Sequence, residues 1–291
     1  MTGPKESLTT TVSPVVAEPH SGPLMNQAEQ SDRDAILAQV DGPLATLTIS
    51  RPHKRNALTT AMWIRIGELA AELADTAGVR VIALCGDGGC FSAGADLRDV
   101  LTATSDLDAA TQYCRTVVGA LAGVAHCRVP TVAVVDGVAS GGGVELALAA
   151  DNRIATPRST FQLPFSSLGV VPDALTLRRL TATVGEATAQ WMMLTGRPVD
   201  APAALRTGLI DELVTDRPVE AAAQIAQSVA RSSFPALLRA RELVKPRLDA
   251  GQVDRDAEQM ARSFVSGSVR EAALRFTTTR SPSASAERAD R

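Results

Sequence analysis

Twice in this sequence a short, β-branched apolar run passes into a glycine-bearing turn and then into a helical segment. The first is VRVIALCG (79–86), which leads into GDGGCFSAGADL. The second is PTVAVVDG (130–137), which leads into VASGGGVELALAAD. Runs this short and this apolar are satisfied as strands buried on both faces. Strands of that kind alternating with helices give βαβ units and a largely parallel sheet, so the fold class is α/β.

The rest of the chain fits this frame. ILAQV (36–40) and ATLTIS (45–50) flank DGP as two strands joined by a tight turn. Thr59 is placed to cap a helix running to about Asp75, and 106–127 reads as a long amphipathic helix. NRIAT (152–156) and TFQL (160–163) read as further strands. From 173 onward the pattern is helical, interrupted at LIDELV (209–214), with three or four helices and no strand after about 217. Residues 1–33, rich in Ser, Thr, Pro and Glu, read as a disordered extension, and 277–291 as a disordered tail. These readings divide the chain into an extension (1–33), a core (34–216), a helical C-terminal region (217–276) and a tail (277–291).

Composition narrows the function. A net charge of −3 and 3% aromatic residues argue against nucleic acid as a partner. Cys85, Cys90, Cys114 and Cys127 have no CxxC pairing and read as reduced core thiols of a cytoplasmic protein. The three histidines, His20, His53 and His126, lack metal-ligand spacing, so no metal is expected. No apolar run reaches the roughly 18 residues of a membrane span.

The two glycine turns carry the chemistry. Gly141, Gly142 and Gly143 sit between a strand and a helix, where unpaired backbone N–H groups and the helix dipole favour negative charge. Glycine lets a ligand approach that backbone closely. A P-loop requires GK[ST], and a dinucleotide fingerprint requires glycine where Leu146 stands, so neither phosphate motif is spelled. What remains is an oxyanion site or a tight turn without a ligand. The second turn, FSAGADL (91–97), has the same context, and two such turns can offer one N–H each to a single oxygen. Glu145 follows the glycines, either as a catalytic acid or as a first-turn acid favourable to the dipole.

RPHKRNAL, VRVIALCGDGGCFSAGADL, VPTVAVVDGVASGGGVELALAADNRIAT, LGVVPDALTLRRL and LTGRPVDAPAALRTGLIDELV together resemble the enoyl-CoA hydratase/isomerase (crotonase) superfamily, in order from about 45 to 215. The resemblance implies a crotonase-like spiral of ββα repeats with a C-terminal helical trimerisation region, assembled as homotrimers or hexamers. It implies a coenzyme A thioester as substrate, with no separate cofactor and no membrane partner. An oxyanion hole made by the backbone of Ala95 and Gly142 is implied as well. It also places CoA contacts at His53, Lys54, Arg55, Ala93, Asp96 and Leu97, and an acyl pocket at Phe161, Leu163 and Phe165.

The chain departs from the hydratase pattern at one position. Family hydratases hold water between two glutamates; Glu145 matches the first, but Phe165 stands where the second belongs. Eight residues later Asp173 occupies a position where isomerising relatives place a catalytic aspartate, and it is also a good helix cap for ALTLRRL. Three readings follow: an enoyl-CoA isomerase using Asp173 and Glu145, a hydratase using Glu145 without its partner, and a non-catalytic acyl-CoA binder. The isomerase is favoured.

Overall fold

The computed structural model describes residues 27–215, 217–244, 251–265 and 267–278. In chain order the elements are α1 (Gln27–Asp34), β1 (Ile36–Asp41), β2 (Leu44–Ile49), α2 (Thr60–Asp75), β3 (Val81–Gly86), α3 (Leu97–Ala103), α4 (Leu107–Ala125), β4 (Thr131–Val135), β5 (Val138–Ser140), α5 (Gly142–Ala149), β6 (Asn152–Ala155) and β7 (Thr160–Gln162). They continue as α6 (Phe165–Leu168), α7 (Ala174–Val184), α8 (Glu186–Thr195), β8 (Val199–Asp200), α9 (Ala201–Thr207), β9 (Glu212–Leu213), α10 (Pro218–Ala230), α11 (Phe234–Val244), α12 (Gln252–Phe264) and α13 (Ser268–Thr278).

The main sheet has the order β1-β2-β3-β4-β6-β9. Only the β1–β2 hairpin is antiparallel; β2, β3, β4, β6 and β9 pair in parallel. Alternation along the strands explains its two covers. Leu47, Ile49, Ile82, Leu84, Ala133 and Val135 face the large core built with α2, α4 and α5. Val81, Ala83, Cys85, Val132, Val134 and Ile154 face the opposite way, against Ala222 and Ala226 of α10. Both faces are therefore dry, as the apolar runs require.

A smaller sheet, β5-β7-β8, stands beside the first. Its strands are very short, and β5 and β8 carry too few residues to show a period in the sequence. Helix α4 begins at its cap Asp106, whose carboxylate accepts the Ala109 N–H, and α2 begins at Thr59, which accepts the Met62 N–H. The interruption expected over 209–214 is only the two-residue β9.

The expected extension boundary moves as well: α1 occupies Gln27–Asp34, and the remainder of the extension lies outside the described residues, as does most of the tail. After β9 the described residues form four helices. Cys85, Cys90, Cys114 and Cys127 are all buried. No helix of the described residues is long and apolar enough to cross a membrane.

Candidate active site

The two strand-end turns meet. Ser92 donates its N–H to Val138 O at 3.0 Å and accepts from the Ser140 N–H at 3.0 Å, a bridge that zips the loop after β3 to β5. On the other side of that loop, the Leu58 N–H donates to Gly94 O (2.7 Å) and the Asp96 N–H to Leu58 O (2.8 Å). The intervening Ala95 N–H has no acceptor among the described residues. Gly142 opens α5, and its N–H likewise has none. The two amides are neighbours: the Cβ position of Gly94 is 3.3 Å from Gly142 N, and that of Gly142 is 3.6 Å from Ala95 N.

This geometry requires the glycines. Gly141 has φ 51° and ψ −118°, a conformation that side chains exclude. A Cβ on Gly143 would lie 2.5 Å from Ser92 O, so the loop could not close on α5. β7 fixes the turn from behind, Gln162 O accepting the Gly141 N–H at 2.9 Å.

Glu145 is 3% exposed, and its Oε2 is 3.6 Å from the Cβ position of Gly142. Its Oε1 has no hydrogen-bond partner among the described residues. Burial, and then the charge of Asp173, push its carboxyl well above the usual range. Asp173, 1% exposed, caps α7, with Oδ1 accepting the Thr176 N–H at 2.8 Å. Its Oδ2 is left unpartnered, and burial raises its pKa against the cap's lowering effect. The capping role therefore leaves one buried carboxylate oxygen of Asp173 unused.

Phe165 is buried at the start of α6, within the same apolar core as Phe161 and Leu163. The three residues expected to line an acyl pocket are thus 4%, 1% and 0% exposed respectively. An open cleft of about 800 Å³ lies on the Asp96 side, walled by Arg51, Thr60, Ile64, Ala103 and Tyr113. Tyr113 links it to the acids: burial raises its hydroxyl first, followed by the charges of Asp99, Cys114, Glu145 and Asp96. Its ring packs on Phe264 at 5.5 Å.

His53, Lys54 and Arg55 lie exposed on a single turn after β2. Two residues that sequence reasoning passed over tie this turn to the Ala95 loop. Asn56, at φ 55°, donates to Asp87 O and Cys90 O and accepts the Arg51 N–H. Arg51 donates to Asp96 Oδ2 at 2.7 Å and to Ala57 O at 3.1 Å. Arg55 O accepts the Ala93 N–H. Both carboxylate oxygens of Asp96 are engaged within the protein, the second by the Arg98 N–H capping α3, while Leu97 opens that helix half-buried. Only Arg51, which opens RPHKR, and Asn56, which follows it, were available as a signal, and their partners are distant in sequence. Among the described residues no cluster of three or more His, Cys, Asp or Glu could hold a metal ion.

A family model described as Enoyl-CoA hydratase/isomerase matches residues 40–285. A "Probable enoyl-CoA hydratase" of Rhizobium meliloti (strain 1021) is 37% identical over 218 residues, 74% of this chain and 83% of that protein. The crystal structure of an enoyl-CoA hydratase/isomerase from Pseudoalteromonas atlantica T6c has a TM-score of 0.73 at 26% identity, covering 85% of this chain and 98% of that one. A Thermobifida fusca YX protein, solved in complex with acetoacetyl-CoA, has a TM-score of 0.68 at 27% identity, covering 81% and 96%. The helical region and the two joined turns thus belong to a recognised crotonase-like α/β fold, and this chain is a member of the enoyl-CoA hydratase/isomerase family.

Proposed function

We propose that this family enzyme shifts the double bond of an enoyl-CoA, with Ala95 and Gly142 holding the thioester oxygen. The observation that carries this reading is the pairing of two buried carboxyls, Glu145 and Asp173, each with an unpartnered oxygen and without a second glutamate at Phe165. In a dry site the Asp173 charge holds Glu145 toward its protonated form, so one acid can carry a proton while the other is ionised. In this reading Asp173, at the start of α7, is the base and Glu145, beside the Gly142 amide, is the acid.

Asp173 removes a proton from C2 of a 3-enoyl thioester. Negative charge moves onto the thioester oxygen, where the Ala95 and Gly142 N–H groups stabilise it. Glu145 protonates C4, giving the conjugated 2-enoyl product. A proton passing from Asp173 to Glu145 resets the pair. His53, Lys54 and Arg55 offer the CoA phosphates cationic and potentially cationic partners. The Thermobifida fusca relative's complex with acetoacetyl-CoA supports a CoA thioester as the ligand class. Assembly as a homotrimer or hexamer through the C-terminal helical region belongs to the same reading.

The test is to follow the ultraviolet absorbance of the conjugated thioester as the protein acts on a trans-3-enoyl-CoA. Turnover that Asp173→Asn abolishes supports the reading; absence of conjugated product overturns it. The name of the Rhizobium meliloti relative favours a second reading, hydration by Glu145 without a carboxylate partner. Mass spectrometry of the same mixtures detects a hydrated acyl-CoA if that reading holds.

A further inference from the structure

We propose that the indole N–H of Trp63 is a third donor to the oxygen held between the Ala95 and Gly142 amides. The inference rests on the acyl-thioester reading above and extends it to a side chain outside the two turns.

Trp63 lies in the first turns of α2 and has no solvent exposure. Its Nε1 has no acceptor among the described residues. A buried indole N–H is ordinarily satisfied, and one left open beside reactive groups needs an explanation. Its position supplies one. Trp63 Cζ2 is 3.0 Å from the Cβ position of Gly142, the same point that is 3.6 Å from Ala95 N. Cζ2 and Nε1 are bonded to the same ring carbon, so the ring edge that meets Gly142 is the edge carrying the N–H. The unpaired Trp63 indole N–H is thus carried on the ring edge next to Gly142, beside the unpaired Ala95 and Gly142 amides.

The local structure also fixes the indole in place. Leu58, five residues earlier, makes the two backbone bonds that shape Ala95, and the Trp63 N–H bonds Thr59 O at 3.0 Å to begin the helix. The segment that positions one donor thus carries another, without a flexible joint between them. Glu145 carries the carboxylate at this point, but it does not accept the indole bond, so that donor is available to a guest. A donor held in place before the reaction, in a site closed to water, acts most strongly on the charge that develops at the transition state.

The chain has two tryptophans, and the other, Trp191, is 59% exposed, so an ¹⁵N-indole spectrum has a built-in control. The resonances are assigned with Trp191→Phe. Butyryl-CoA presents a neutral thioester oxygen, and acetoacetyl-CoA an ionisable one. The Trp63 indole proton is expected to move downfield with butyryl-CoA and further with acetoacetyl-CoA, while Trp191 stays in place. In Trp63→Phe, kcat is expected to fall on the order of a hundredfold with KM within about twofold. Should calorimetry show both thioesters bound while the Trp63 resonance stays still, the assignment is overturned; so too if Trp63→Phe alters KM alone. If neither thioester binds, the acyl-CoA reading itself falls and takes this assignment with it.

Discussion

The Glu145 carboxylate and the Ala95 N–H each lie 3.6 Å from one point, the position a Cβ would take on Gly142. A methyl group placed there stands between the acid and the donor, against Trp63. Gly142→Ala should therefore cost turnover on the order of 10²- to 10³-fold, as losing an oxyanion donor does. Its fold should survive at some cost, since the fixed Trp63 ring edge, 3.0 Å away, must give by a few tenths of an ångström. Gly143→Ala is the contrast, because its Cβ meets the backbone oxygen of Ser92 at 2.5 Å. Thermal melts should show a large loss of stability for Gly143→Ala and a small one for Gly142→Ala; the reverse order would contradict the geometry.

Glu145 makes stability fall as pH rises. Burial and Asp173 raise its folded pKa well above the unfolded value, so its contribution is complete below the unfolded value and is lost as pH climbs through the folded one. Glu145→Gln removes the titration. The variant should be inactive yet more stable than the parent at pH 8, by roughly 1–3 kcal/mol, because no buried charge is left unpartnered. Near pH 4 the difference should vanish. Denaturant melts at the two pH values measure this, and a variant less stable at pH 8 would disprove it.

The stretches that were legible in the sequence are those whose chemistry is local. VRVIALCG and PTVAVVDG had to be covered strands, and the structure buries them on both faces. Gly141 and Gly143 announced a turn that other residues cannot make, and Asp173 announced a cap. What stayed hidden depends on distant partners. Trp63 reads as an ordinary apolar position of an amphipathic helix, and only the folded chain brings its ring edge to Gly142. Asn56 and Arg51 look like loop residues until Cys90 and Asp96, which they bind, are in place. β5 is three residues long, too short for a period of two to show.

Asp96 reverses the pH dependence of Glu145. Burial alone would raise its pKa, but the hydrogen bond and charge of Arg51, with the Arg98 N–H, bring it below the usual aspartate range. Its stabilisation is thus present above the unfolded value and lost as pH falls through the folded one. Arg51→Met leaves the Asp96 charge buried without its partner and should cost about 3–5 kcal/mol at pH 7. The loss should shrink in acid, where Asp96 in the variant takes up a proton. Because the same arginine joins the basic turn to the Ala95 loop, KM for an acyl-CoA should rise along with the instability. A variant as stable as the parent at pH 7 would show the pair to be dispensable.

Asp173 performs two tasks with two oxygens, and substitution can separate them. Oδ1 accepts the Thr176 N–H, which an asparagine carbonyl can accept equally well. Oδ2 is buried without a partner, and its ionised form is the one that removes a substrate proton. Asp173→Asn should therefore keep the helix start, gain stability as pH rises because the raised acid is gone, and lose isomerisation. Asp173→Ala loses both the cap and the base, at a cost of about 1 kcal/mol in stability. Both variants should still bind a saturated acyl-CoA, since neither alters Ala95 or Gly142. Calorimetry on that ligand, run beside melts and turnover, separates the tasks: an Asp173→Asn protein that keeps isomerase activity would leave the aspartate as a cap alone and return the proton transfer to Glu145.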